Sequence, residues 1–198
     1  MEASVEDLAR YFPHYLTHPQ RDTVAKELGN FPNVNFYLDR YHTQYLQGDC
    51  WGPIAINTAT PPVAGVILSN SCDIDLENKR ALPPSVVFSP LISIKSYRTQ
   101  LERGGLNNQA IEAKLHDIRR QAVTDIIYFP PSVSVREESL IWLCKVFSVP
   151  MKRIAAVEKI KKSFTLSQVG FYIFTMKLAI HFCRLHENVP RFPDADAA

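Results

Sequence analysis

The chain has 198 residues, of which 46% are hydrophobic and 21% are charged, and its formal net charge is +2. This composition is typical of a globular protein with a sizeable core and argues against a disordered chain. No stretch of about 18 residues is apolar without a charge, and the acidic N-terminus lacks an apolar signal region, so neither a membrane span nor secretion is expected. Four widely spaced cysteines without a C-x-x-C pair favour reduced thiols in a cytoplasmic protein.

Residues 1–45 are predicted to form an N-terminal helical cap. Prolines that interrupt helices separate two helical segments, at residues 5–11 and 21–28. Aromatic residues are dense in this region, which favours a small packed cap over the rest of the chain. The alternative is a platform on which nucleobases stack, and it requires the rings to share one exposed face. The aromatic residues are Tyr11, Phe12, Tyr15, Phe31, Phe36, Tyr37, Tyr41 and Tyr45.

Residues 46–198 are predicted to form one α+β domain, in which short apolar runs lie between turn-forming residues. Several short strands separated by turns indicate a small barrel or sandwich. The apolar runs predict strands just after Gly48-Asp49 and at residues 65–69, 85–92, 124–129 and 139–149.

A helical insertion is predicted to interrupt these strands at residues 96–122. Within it, Asn107 or Asn108 can cap a helix that continues to Gln121, because apolar residues recur there at helical spacing. The remaining positions of this helix carry mainly charged side chains. The helix is therefore predicted to be amphipathic, with one face packed on the domain.

A long helix is predicted near the C-terminus. Thr165-Leu166-Ser167-Gln168 matches a capping box, the pattern of a helix start. Apolar side chains follow around nearly the whole circumference as far as about residue 185. Such a helix is expected to be largely buried, in the core or at a subunit interface, and to anchor the fold.

A polar turn after the strand predicted at residues 65–69 is the first candidate site, because loops at strand ends are held in place yet open to ligand. Cys72 in this turn is a candidate nucleophile if a histidine acts as its base. A half-buried structural cysteine is the alternative. The histidines available in the sequence are His42, His116, His181 and His186.

Carboxylates follow Cys72 directly. Asp73 and Asp75, with Glu77 beyond them, carry the oxygen ligands that Mg²⁺ and Ca²⁺ prefer, and an extended backbone would place the two aspartates on one side. An Asx-turn, in which Asp73 accepts hydrogen bonds from nearby backbone amides, is favoured over a metal site. His181 and Cys183 point about 200° apart on a helix, so no zinc site is predicted. No metal and no cofactor are predicted.

Basic residues are concentrated after residue 149, where Lys and Arg outnumber Asp and Glu by 8 to 4, whereas residues 1–149 carry 14 against 16. A local basic cluster can contact the phosphates of a nucleic acid. A solvated helix face is the alternative. The cluster consists of Lys152, Arg153, Lys159, Lys161 and Lys162.

Three short motifs occur in a distinctive order: Gly48-Asp49-x-Trp51, then Val66-Ile67-Leu68-Ser69-Asn70, then Val86-Val87-Phe88-Ser89-Pro90-Leu91. A late strand and the C-terminal helix complete the series. This order resembles the MazF/PemK family of toxin-fold proteins over residues 46–187. The resemblance implies an SH3-like β-barrel with a helix packed on it, in a homodimer. Well-known members are metal-independent ribonucleases that cleave messenger RNA and are neutralised by an antitoxin.

The chain departs from this family at the family's catalytic positions. Val63 stands where the ribonucleases have an Arg, and Ile92, followed by Ser93, stands where they have a Thr or Ser. Phosphoryl transfer without a cation at the transferred group loses its main electrostatic stabilisation. The family's catalytic pair is therefore not assigned to this chain, and Cys72 and Asp73 are predicted to line the site instead.

Two functions are predicted from these patterns. The first is a MazF/PemK-like toxin-type effector that acts on or binds RNA, endoribonuclease-like if it is an enzyme, with the basic cluster on the phosphates. The second is a non-catalytic protein-interaction module of the same fold, such as a partner subunit in a toxin–antitoxin or defence system. The expected partners are RNA, an antitoxin or other protein, and a second copy of the chain, but no membrane.

Overall fold

The structure of the chain is a computed structural model that describes residues 35–133, 135–156 and 158–182. The helices predicted at residues 5–11 and 21–28 lie outside these ranges. The elements, in chain order, are β1 (Tyr37–Leu38), β2 (Cys50–Ile54), β3 (Val63–Ile67), α1 (Ser71–Ile74), β4 (Ser85–Pro90), β5 (Ile92–Ser93), α2 (Ile94–Arg103), α3 (Asn108–Arg119), β6 (Ile126–Phe129), β7 (Ser139–Trp142), β8 (Phe147–Pro150), α4 (Lys152–Ala155), β9 (Lys161–Leu166) and α5 (Gln168–Phe182).

The strands form two antiparallel sheets. The larger has six strands in the order β1-β9-β2-β3-β4-β8, and the smaller has three in the order β5-β7-β6. The α+β class is therefore confirmed, whereas the described strands do not close into the predicted barrel. β4 ends at Pro90, and the chain then enters the second sheet at β5.

Three elements differ from the predicted ones, two of them for local reasons. Ile94 begins α2, which is an additional helix capped by Ser93, whose side chain accepts from the Ser96 amide. The strand predicted at residues 139–149 is two strands, because the chain turns where the Lys145 amide donates to the Trp142 carbonyl oxygen at 2.8 Å. The described part of the predicted N-terminal cap, residues 35–45, contains the short strand β1 rather than a helix.

The core lies on both faces of the six-stranded sheet. Successive residues of β2, Cys50 and Trp51, point to opposite faces, as the twofold period of a strand requires. One face packs against the smaller sheet and α5, and the other against the short helices α1 and α4. The α2–α3 hairpin covers the smaller sheet with a third apolar cluster. α3 lies where the helical spacing predicted a helix, and Asn107 caps it.

α5 joins the two sheets through its first half. Phe174 is fully buried in the core between the sheets, whereas Phe182 near the helix end is 58% exposed. Lys177 is also buried, and its Nζ donates to the carbonyl oxygens of Gln121 and Val123 at 2.7 Å each. Burial lowers the pKa of this lysine to about 8. Among the residues described, no helix combines the length and apolar character needed to cross a membrane.

The outer edge of β6 is covered by a side chain. The Gln121 amide group donates to the Tyr128 carbonyl oxygen at 2.7 Å and accepts from the Tyr128 backbone N–H at 3.1 Å. The Ile126 N–H donates to the Val123 carbonyl oxygen. Gln121 therefore occupies the hydrogen-bonding groups that a neighbouring strand would use.

Candidate nucleic-acid interface

A tight turn before β2 places the first polar side chain of the site. Gly48 has a φ of +87°, a backbone conformation that favours glycine, and a Cβ on it would also require the Leu166 side chain to move. The next residue, Asp49, accepts from the Ile67 N–H at 2.9 Å through its backbone carbonyl oxygen. The turn thereby fixes Asp49 at the start of β2 with its side chain inside the protein, where it is 1% exposed.

Asp49 forms a buried ion pair with Lys162 of β9. Lys162 Nζ donates to Asp49 Oδ2, to the Tyr41 carbonyl oxygen at 2.5 Å and to Thr165 Oγ1 at 3.2 Å. The side chains of the pair are 1% and 6% exposed. Burial raises the pKa of the Asp49 carboxyl and lowers the pKa of the Lys162 ammonium, and their mutual contact opposes both shifts. Lys162 Nζ also lies 5.2 Å from the centre of the Trp51 ring.

Three cavities surround this ion pair. The basic cavity, of about 300 Å³, is lined by residues of the segment before β2 and of β9, including Arg40, His42, Lys161 and Lys162. The Asp49 cavity, of about 240 Å³, shares Leu38 and Thr165 with it. The Cys72 cavity, of about 460 Å³, shares Leu46 and Ser71 with the Asp49 cavity. The segment from Leu38 to Asp49 therefore contributes lining residues to all three cavities, which lie side by side.

The basic cavity brings together basic side chains from distant parts of the chain. Arg40 and His42 precede β2, and Lys161 begins β9; all three are exposed. Asp39 also lines the cavity, and one of its carboxylate oxygens lies 3.8 Å from His42 Nε2. Three exposed cationic or titratable groups around one concave surface are suited to phosphate oxygens.

The members of the predicted basic cluster differ in their exposure to solvent. Lys152 and Arg153 lie exposed on α4, Lys159 is exposed just before β9, and Lys161 lines the basic cavity. Lys162, by contrast, has its ammonium group in the buried pair with Asp49. A sequence cannot show this difference, because the partner of Lys162 lies 113 residues away.

Cys72 and Asp73 lie exposed on the short helix α1. The Asn70 side chain caps this helix and accepts from the Cys72 N–H at 2.9 Å, while the Cys72 carbonyl oxygen accepts from Asn78 and Arg80. Since the backbone is helical here, Asp73 and Asp75 do not share a side as an extended strand would require. Instead, Asp75 forms an Asx-turn by accepting from the Glu77 N–H at 2.9 Å.

The surroundings of Cys72 contain little of what a thiolate nucleophile requires. Among the described residues, no histidine lines the Cys72 cavity, and His42, which the sequence offered as a base, lines the basic cavity instead. His116 lies on α3 and His181 on α5, while His186 and Cys183 lie outside the described residues. Within the ranges that the structure describes, no three His, Cys, Asp or Glu side chains are grouped as metal ligands would be.

The thiols are expected to differ sharply in reactivity. Cys50 is fully buried, and its burial raises its pKa to about 12, whereas Cys72 and Cys144 are exposed. Treatment with iodoacetamide at pH 8, followed by peptide mass spectrometry, should label Cys72 and Cys144 and leave Cys50 unmodified. The same treatment in 6–8 M urea, a roughly denaturing concentration, should label all three. Rapid labelling of Cys50 without denaturant would contradict this burial.

Four further residues around these cavities were not identified as site residues from the sequence. Asp49 and Trp51 stand in the Gly48-Asp49-x-Trp51 motif, which indicated a turn and a strand but no polar role. Arg40 and His42 lie in the segment predicted as a helical cap. Spacing in sequence gave no indication that this segment lies beside β9, although its lack of periodic apolar residues is typical of an irregular segment.

Comparison with protein families, with curated proteins and with solved structures finds no match for this chain.

Proposed function

We propose that this protein is a MazF/PemK-like toxin-type effector that binds RNA, in an open and divergent form of that family's fold. The observation that carries the proposal is the basic cavity, in which Arg40, His42 and Lys161 surround one concave surface. The exposed residues Lys152, Arg153 and Lys159 extend the positive charge beyond it. Phosphate contacts by such cations supply most sequence-independent affinity for nucleic acids.

The fold part of the proposal is supported by the placement of the three motifs. Gly48-Asp49-x-Trp51 opens β2, the second motif includes the end of β3, and the third covers β4. These strands are neighbours in the order β2-β3-β4. The divergence lies in the open sheets, in the α2–α3 hairpin and in the replacement of the family's catalytic residues by Val63 and Ile92.

Binding of a fluorescein-labelled, unstructured 20-nucleotide RNA should weaken steeply between 50 and 200 mM KCl in an anisotropy titration. In the double variant Arg40→Gln/Lys161→Gln, affinity should fall by about tenfold or more at low salt, and the slope of log affinity against log salt should decrease by about 1.4, or 0.7 per lost phosphate contact. The matched control Lys95→Gln/Arg103→Gln removes the same charge from exposed positions of α2. It should bind like the wild type.

Absence of binding to the wild-type protein, or equal loss in both double variants, would refute the proposed interface. The same samples also test catalysis, because gel analysis of the RNA reports cleavage. Cleavage that is lost in Cys72→Ala and Asp73→Ala would assign these two residues to the reaction. Intact RNA with salt-dependent binding would identify the protein as a binding effector.

The Cys72 cavity favours a second function, the binding of a protein partner such as an antitoxin. Leu76 lines this cavity with 56% of its surface exposed, and Asp75 and Glu77 stand on either side of it. An exposed leucine between carboxylates suits a partner segment that carries both apolar and basic side chains. Such binding would leave the basic cavity open to RNA, since the two cavities share none of the described lining residues.

A further inference from the structure

The segment that carries Arg40 and His42 has little regular structure of its own to hold it. Residues 39–49 connect β1 to β2 and form neither helix nor strand in the described structure. Among the described residues, the Tyr41 carbonyl oxygen is the one backbone group of residues 40–45 that forms a hydrogen bond. Its donor is Lys162 Nζ, at 2.5 Å. A connecting segment with so few backbone hydrogen bonds is expected to move unless a side chain fixes it.

The backbone of Tyr41 indicates such a fixed point. Its φ is +59°, in the left-handed region that residues other than glycine rarely adopt. A conformation of this kind persists where the surrounding structure imposes it. The Tyr41 side chain is 47% exposed, so its packing accounts for the conformation only in part. The hydrogen bond from Lys162 therefore holds the peptide group that joins Tyr41 to His42.

Asp49 extends this hold to the other end of the segment. Its Oδ2 atom accepts from Lys162 Nζ and from the Leu46 N–H, the latter at 3.0 Å. The side chains of Asp49 and Lys162 are 1% and 6% exposed, so water competes little for these contacts. One buried ion pair therefore ties both Tyr41 and Leu46 to β9 and to the start of β2.

The Lys162 ammonium group has no hydrogen left for an RNA phosphate. A lysine has three N–H donors, and Lys162 Nζ donates to Asp49 Oδ2, to the Tyr41 carbonyl oxygen and to Thr165 Oγ1. Although Lys162 lines the basic cavity, its polar contacts are thus made inside the protein. This separates it from Lys161, which lines the same cavity and is exposed.

We infer that Lys162 is a positioning residue for RNA binding. Through the Tyr41 carbonyl oxygen it holds Arg40 and His42 on the wall of the basic cavity, which they line together with Lys161 of β9. This inference rests on the proposed RNA binding and gives Lys162 a role other than phosphate contact. Basic side chains that are held in place before the RNA arrives lower the ordering cost of binding.

The test is a double-mutant cycle on RNA affinity, measured by anisotropy with the same labelled 20-nucleotide RNA at low salt. In the wild type, Arg40→Gln and Lys161→Gln should each weaken binding by about threefold, since each removes one phosphate contact. Lys162→Met should also weaken binding by about threefold or more. In the Lys162→Met background, Arg40→Gln should cost less than about 1.5-fold, because Arg40 is no longer held in place. Lys161→Gln should keep its full effect there, because Lys161 lies on β9.

Two further variants control for charge and for folding. Lys95→Met makes the same substitution at an exposed lysine of α2, and Arg40→Gln should keep its full effect in that background. Melting followed by circular dichroism shows whether Lys162→Met is folded during the titration. If it is not, Asp49→Asn/Lys162→Met replaces it, because this variant also removes the donor to Tyr41 but leaves no unpaired charge in the core.

A second measurement requires no RNA. Relaxation of the backbone ¹⁵N nuclei of residues 40–45 should give order parameters of about 0.85 in the wild type, as in a rigid backbone, and below about 0.6 when Lys162 is replaced. Low order parameters in the wild type, or unchanged ones in the folded variant, would overturn the inference.

The outcomes separate this inference from the function on which it rests. Equal effects of Arg40→Gln in the wild type and in Lys162→Met would overturn the positioning role and leave the proposed RNA binding intact. Loss of both the Arg40 and the Lys161 effects would also overturn it, because Lys162 would then act on the whole cavity. Absence of RNA binding to the wild type would refute the proposed function itself, and the order parameters would still decide whether Lys162 holds the segment.

Discussion

A Lys162→Met variant is expected to lose about 3–5 kcal/mol of unfolding free energy at pH 7. The substitution keeps most of the apolar stem but leaves the Asp49 carboxylate buried without its counter-ion, and the Tyr41 carbonyl oxygen loses its donor. Removing one member of a buried pair costs more than the pair itself contributes, since the remaining charge is uncompensated. Urea unfolding followed by tryptophan fluorescence measures the difference.

The pH dependence of this variant provides its control. Without Lys162, burial outweighs the remaining hydrogen bond from the Leu46 N–H and holds the folded pKa of Asp49 above the unfolded value of about 3.9. The folded variant then binds more protons than its unfolded state, so its stability should fall as the pH rises through the Asp49 pKa. The difference in unfolding free energy between the variant and the wild type should accordingly become smaller toward pH 4. The double variant Asp49→Asn/Lys162→Met should lose less unfolding free energy than the two single variants lose together. Additive losses would show that the two side chains are not coupled.

A Phe174→Ala variant is expected to lose about 3–5 kcal/mol of unfolding free energy, the range for truncating a fully buried phenylalanine. Phe174 lies in the core between the two sheets, so its removal leaves a cavity where α5 joins them. Phe182→Ala changes the same residue type on the same helix at a position that is 58% exposed. Its loss should stay within about 0.5 kcal/mol, as is usual for surface positions.

Chemical denaturation of both variants under one condition gives the comparison directly. Similar losses at the two positions would contradict the burial of the first half of α5 and the exposure of its end. The matched pair also removes the contribution of helix propensity, because the same substitution is made twice on one helix.

Local signals in the sequence predicted several elements well. α3 was predictable because Asn107 supplies a cap and apolar residues recur at helical spacing over three turns. β2, β3, β4 and β6 were predictable because each is a short apolar run bounded by turn-forming residues. α2 lies mostly within the helical insertion predicted at residues 96–122, but no separate helix was assigned there, because its sequence is largely polar and only Ile94 and Tyr97 are buried.

Signals that depend on neighbours distant in sequence were not available. The residues from Thr165 to Gln168 match a capping box, yet Thr165 lies within β9. The capping contact is made by Ser167 instead, whose Oγ accepts from the Gly170 N–H at 3.1 Å. The same limit applies to the site. Lys162 lies in a run of basic residues that is typical of a solvated surface. Only the pairing of β9 with β2 shows that it lies against Asp49.

The side-chain amide of Gln121 has a consequence for how copies of this chain can associate. Strand-by-strand growth of a sheet requires an edge with free N–H and carbonyl groups. At β6 these groups are taken by Gln121 at Tyr128 and by Val123 at Ile126. Edge-to-edge addition of a second copy is thus disfavoured on this side of the smaller sheet. Among the described strands, β1, β5 and β8 are left as the outer strands where a β-mediated dimer would form.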